Sequence, residues 1–103
     1  MNKDISIASD VKKILNIIKE ISPGNTVELR IPGYGAIQCV AGGNHRRGTP
    51  PNTVEMSGPT LVKLISEPKF WPELVASGLI SASGIASDLS PVFTQAQALY
   101  EAK

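Results

Sequence analysis

Apolar and polar positions along the chain follow two periods, and the change between them marks out the elements. Ile7, Val11, Ile14, Leu15, Ile18 and Ile21 recur at steps of three and four, with Lys12, Lys13, Lys19 and Glu20 between them. That spacing belongs to an amphipathic helix with a broad apolar stripe. Ile17 beside Ile18 widens the stripe, which suits a helix laid across a sheet. Pro23 and Gly24 stop the pattern, so a helix is expected over residues 1–22. From Thr26 the period becomes two. Val27, Leu29 and Ile31 alternate with Glu28 and Arg30, Ile37 and Cys39 with Gln38, and Val54 and Met56 with Glu55. Pro32 and Gly33 fit the second and third positions of a type II turn between the first two runs. The three runs predict a three-stranded meander over residues 26–56. Its polar face would carry Glu28, Arg30, Gln38 and Glu55, as in an antiparallel sheet that meets water on one side.

The helical period then returns. Ser57 to Pro59 reads as a helix start, and Leu61, Leu64 and Ile65 form its apolar stripe. Pro68 ends that helix, and a short second one follows with Trp71, Leu74 and Val75 on one side, closed by Gly78. These two helices occupy 58–78. "LISASG" reads as a strand over 79–84 with Ile80 and Ala82 inward, and a last helix over 90–102 presents Phe93, Ala96, Leu99 and Tyr100. The order helix, three strands, two helices, strand, helix predicts an α+β fold with one mixed, mainly antiparallel sheet of about four to five strands and helices on one face. Because the last strand follows a helical crossover, it is expected to lie parallel to a neighbour.

Composition narrows the class. A chain of 103 residues is read as a single domain over 1–103. A formal net charge of +1 offers no electrostatic footprint for nucleic acid or an acidic membrane surface. Apolar residues at 42% and charged residues at 18% are near globular averages, which argues against disorder. The one cysteine, Cys39, has no partner for an internal disulfide and favours a reducing compartment. No apolar run approaches the roughly 20 residues that span a bilayer, so membrane insertion is not expected. "MNKDISIASD" lacks an apolar signal core, and the expected location is the cytoplasm.

The most distinctive composition lies in "GGNHRRGTPPN", which holds the only histidine and two of the chain's arginines. Catalysis there would need a nucleophile beside His45. Cys39, the only thiol, alternates with Ile37 toward the core, where cysteine behaves as a small hydrophobe. One His and one Cys cannot supply a zinc site, and no acidic cluster has the spacing of a calcium loop. No catalytic residue, metal or cofactor is therefore assigned. An anion clamp fits better. Arg46 and Arg47 are forked donors for carboxylate or phosphate, with His45 and Asn52 alongside and glycines that let a ligand approach the backbone. The plainer reading pairs one arginine with Glu55 or Glu28, leaves the other in water, and has Asn52 cap a turn at Pro50-Pro51. Ile37, Cys39, Leu61, Leu64, Ile65, Trp71, Leu74, Val75 and Phe93 should face the space between sheet and helices. In most domains such residues simply fill the core.

The run "VELRIPGYGAIQCVAGGNHRRGTPPNTVEM", followed by "WPELVASGLISASGIASDLSP", resembles the small bacterial orthologues of the sterol carrier protein 2 domain. These are found alone in actinobacteria and, in related form, as the C-terminal domain of mycothiol-dependent maleylpyruvate isomerase-like proteins. "GAIQC", "HRRGTPPN" and "SGLISASG" are the most distinctive pieces. The resemblance implies a sheet covered by helices with an apolar tunnel between them, and lipid or sterol binding and transfer without covalent chemistry. Taken with the donor chemistry of the loop, it points to a fatty acyl or sterol-like ligand whose chain would meet the apolar set and whose polar end would meet His45, Arg46, Arg47 and Asn52. Two departures stand out: less helical cover than larger members have, and no counterpart of the metal-binding bundle of the isomerase-like proteins. A second reading is therefore an accessory module without a ligand, docking on a partner enzyme or on a second copy. A third, isomerase or thiol-transfer activity, lacks its metal ligands.

Overall fold

The structure, a computed structural model, describes residues 5–42 and 52–102. Its elements are α1 (Ile5–Ile21), β1 (Val27–Ile31), β2 (Gly35–Cys39), β3 (Asn52–Met56), α2 (Gly58–Ser66), a 3-10 turn (Pro68–Phe70), α3 (Trp71–Ala76), β4 (Ile80–Ser83) and α4 (Ser90–Ala102).

Local chemistry sets several boundaries. Tyr34 N–H donates to the Ile31 carbonyl across 2.9 Å and Gly33 has φ of 85°, which makes the β1–β2 connection a type II turn with glycine where φ must be positive. Ser57 Oγ accepts the Thr60 N–H at 3.2 Å and caps α2, with Pro59 in the first turn. Gly78, at φ 85°, ends α3 in a Schellman arrangement: its N–H reaches Val75 C=O at 3.1 Å, and Leu79 N–H reaches Leu74 C=O at 3.0 Å.

The sheet has four strands in the order β2-β1-β3-β4. β1 pairs antiparallel with β2 and parallel with β3, and β3 pairs antiparallel with β4. The class is thus α+β with a mixed sheet, but the strands do not form the expected meander. β3 lies on the far side of β1 from β2, so the parallel pair is β1–β3, and β4 runs antiparallel to its neighbour. The reason is burial. Val27, Leu29 and Ile31 have no accessible surface, which calls for a neighbour on each side of β1. β2, with Gly35 and Ala36 exposed, has too little apolar side chain to sit inside the sheet and takes an edge.

Register aligns Ile37, Leu29, Val54 and Ala82 in one inward row. On the outer face Arg30 lies between Ala36 and Glu55, and Glu28 between Gln38 and Thr53. Arg30 Nε and Glu28 Oε2 are 3.0 Å apart, so this polar face carries the residues that alternation assigned to it. Helices cover the other face. Val11, Ile14, Leu15, Ile17 and Ile18 of α1 join Leu61, Leu64 and Ile65 of α2 and Phe93 and Ala96 of α4 in one cluster with the strands. Full burial of side chains of this size contributes roughly 1.5–3 kcal/mol each. α4 is tied to α1 at its outer end. Lys13 Nζ sits 4.8 Å from the centre of the Tyr100 ring, and burial, with the neighbouring Asp10 carboxylate adding to it, pushes the Tyr100 hydroxyl pKa up.

Candidate functional site

The sequence-derived polar end divides between two places. His45, Arg46 and Arg47 lie outside the described residues. Asn52 begins β3 on its inward side and is buried. Its Nδ2 donates to the Thr26 carbonyl at 3.0 Å, and its Oδ1 accepts the Ala86 N–H at 2.9 Å. The amide therefore joins the entry to β1 with the turn after β4. Gly84, at φ 107°, is pressed so closely on this side chain that a Cβ there would collide with Asn52 Oδ1.

The sequence-derived apolar set is mostly packed interior. Cys39, Leu61, Leu64, Ile65 and Phe93 have 0% accessible surface, and a side chain with none borders no space that water could enter. Trp71 and Leu74 are also buried, and the Trp71 and Phe93 rings pack with centroids 6.2 Å apart. Val75 and Ile37 are half-buried. Burial pushes the Cys39 thiol up to about 11, so it is protonated at neutral pH.

An opening lies instead where α1 crosses the free edge of the sheet. A groove of about 410 Å³ is lined by Ala8, Val11, Lys12, Leu15, Asn16 and Lys19 of α1 and by Tyr34, Gly35, Ala36 and Ile37 at β2. It exists because β2 is an edge strand whose first residues are small. Leu15 Cδ1 stands 3.9 Å from where a Cβ on Gly35 would be, so one methyl group there would begin to fill the floor. Lys12, Asn16 and Lys19 are exposed along one helical ridge bordering the apolar stripe. Neither lysine has an ion pair among the described residues.

Beyond the groove the chain leaves β2 through a tight corner. Val40 N–H donates to the Ser22 carbonyl at 2.8 Å, and Val40 C=O accepts the Thr26 N–H at 3.1 Å. Val40 itself has φ of 70°, a left-handed conformation costing a β-branched residue on the order of 1–3 kcal/mol. These hydrogen bonds hold it there, and Gly24 leaves room for the Val40 carbonyl where any Cβ would strike it.

Of the apolar set, Ile37 alone lines the groove. Sequence reasoning passed over Lys12, Lys19 and Tyr34, reading the lysines as the solvated side of a helix. The available signal was the 12, 16, 19 spacing, which places a polar ridge beside the stripe.

A mixed four-stranded sheet covered on one face by helices defines an SCP2-like α+β domain. The sequence matches the family described as bacterial SCP ortholog over residues 4–94, and the chain belongs to that family. A solved structure described as "UbiJ-SCP2 Ubiquinone synthesis protein" is similar with a TM-score of 0.53, covering 100% of this chain and 98% of the other at 17% identity. At that identity the likeness is one of fold. No curated protein matches the sequence.

Proposed function

We propose that this domain binds and carries an amphipathic lipid, fatty acyl or sterol-like, at the seam between helices and sheet. The observation that carries the reading is the groove between α1 and β2, with Val11, Leu15 and Ile37 as an apolar floor and Lys12 and Lys19 on its rim. Such a floor favours a hydrocarbon chain, and two ammonium groups without an acidic partner among the described residues favour an anionic head such as a carboxylate. His45, Arg46 and Arg47 supply a second candidate for the polar end. Family membership supports the same direction. The chain of the ligand runs along the groove, because the interior at Leu61, Leu64, Ile65 and Phe93 is already filled by side chains. The role is binding without covalent chemistry: Cys39 is a protonated, buried thiol, and a free thiol of this kind suits the reducing cytoplasm.

The test begins with native purification, organic extraction and mass spectrometry against a matched control protein. A stoichiometric lipid is expected. Binding of a fluorescent fatty acid is then compared in the wild type, Lys12→Ala/Lys19→Ala and Arg46→Ala/Arg47→Ala. Loss of a charge-assisted contact lowers affinity by about tenfold or more, and the weakened pair identifies the polar end. An empty protein that also fails to take up added fatty acids or sterols overturns the reading.

A further inference from the structure

Two strands end the sheet, and their surroundings differ in charge. β2 is bordered by the groove with Lys12 and Lys19, so a second copy laid against it would bring like charges together. β4 reads Ile-Ser-Ala-Ser, and no charged residue occurs from Leu74 to Ser87. Natural edge strands are shielded by lysine, proline, a bulge or a covering element. β4 has no lysine or proline, its pairing with β3 runs from Met56↔Ile80 to Thr53↔Ser83 without a slip, and no described strand lies beyond it. Large apolar side chains bracket this same strand: Leu79 just before it is 54% exposed, and Ile85 just after it is 107% exposed. Scattered apolar side chains on a surface need no explanation, but these two lie at opposite ends of one edge that no described strand covers.

We propose that β4 is a self-association edge, at which two copies pair their β4 strands antiparallel about a two-fold axis and join their sheets. With the axis at Ala82, Ser81 of one copy lies opposite Ser83 of the other, and Leu79 and Ile85, in the bend and turn that flank the strand, border the contact at its two ends. The strand is complementary to itself, as an isologous contact requires. Its neutrality removes like-charge repulsion, and facing serine hydroxyls are favourable cross-strand neighbours. The contact is small, below the standard of about 800 Å² per partner, so the dimer is weak and depends on concentration. This inference does not rest on lipid binding.

Sedimentation equilibrium over a wide concentration range tests it, with Leu79→Lys/Ile85→Lys as the disrupting variant and Leu99→Lys, at an exposed position on α4, as the control. A monomer–dimer equilibrium is expected, weakened by about tenfold or more in the double variant and unchanged in the control. Circular dichroism confirms that the variants fold. As a second measurement, Ser81→Cys chains mixed with Ser83→Cys chains should form a mixed disulfide on mild oxidation. A monomer at all concentrations up to about 1 mM overturns the proposal and leaves the edge to a strand of another protein. A dimer insensitive to the double substitution, or one without the mixed disulfide, overturns it as well.

Discussion

The backbone N–H of Ala86 donates to Oδ1 of Asn52 across 2.9 Å, while the same side chain donates from Nδ2 to the Thr26 carbonyl at 3.0 Å. One buried amide thus holds three separate pieces of chain together at the end of the sheet where β3 begins. Asn52→Ala should lower stability by about 2–3 kcal/mol, because two backbone groups lose their partners. Asn52→Asp should also destabilise: it keeps an acceptor for Ala86 but sets a carboxylate oxygen against the Thr26 carbonyl. Urea denaturation of the two variants measures this. A change below about 0.5 kcal/mol, the range of ordinary surface substitutions, would show that the amide has no structural task.

Gly84 is the counterpart of that amide. Its φ of 107° and the Asn52 side chain above it both exclude a Cβ. Gly84→Ala should cost more than about 1 kcal/mol. Part of the cost should disappear in the Asn52→Ala background, where the colliding atom is gone. A double-mutant cycle reads that coupling, and strictly additive effects would contradict the collision.

The Cys39 thiol is held up to about 11, from 9.0, by burial. Its folded pKa lies above the unfolded one, so the associated stability is complete below the unfolded value and is lost as pH rises toward the folded one. Between pH 9 and 11 the wild type should lose up to about 2–3 kcal/mol relative to Cys39→Ala. Denaturant melts of both proteins at pH 7, 9 and 11 isolate this difference from other titrating groups. Alkylation of native Cys39 at pH 7.5 should be slow and become fast in denaturant.

Phe93 has no accessible surface and packs 6.2 Å from Trp71, ring centre to ring centre. Phe93→Ala should cost about 3–5 kcal/mol through the cavity it leaves. A small apolar molecule such as benzene should restore part of that stability in the variant and do little for the wild type. Equal stabilisation of both proteins would mean that the native interior already holds an apolar space.

Much of the secondary structure was legible in the chain because its signals are local. The step of three and four through Val11, Ile14, Leu15 and Ile18 reports the α1 stripe, and Pro32-Gly33 reports a turn whose geometry glycine alone adopts freely. Alternation through Val27, Leu29 and Ile31 states which side of a strand is buried. It is silent about which strand lies next to it, and this is why the meander was the wrong reading.

The sequence by itself determined the class, the faces of most elements and most residues that fill the core, because periodicity is a property of short stretches. It put Leu99 on the inward face of α4, where the structure leaves it 38% exposed. Only the tertiary structure decided that β3 pairs parallel with β1, that Asn52 ties Thr26 to Ala86, and that small residues at the β2 edge leave a groove beside Lys12 and Lys19. Each of these joins residues far apart in the chain, and such contacts depend on how the whole set of apolar faces is buried at once.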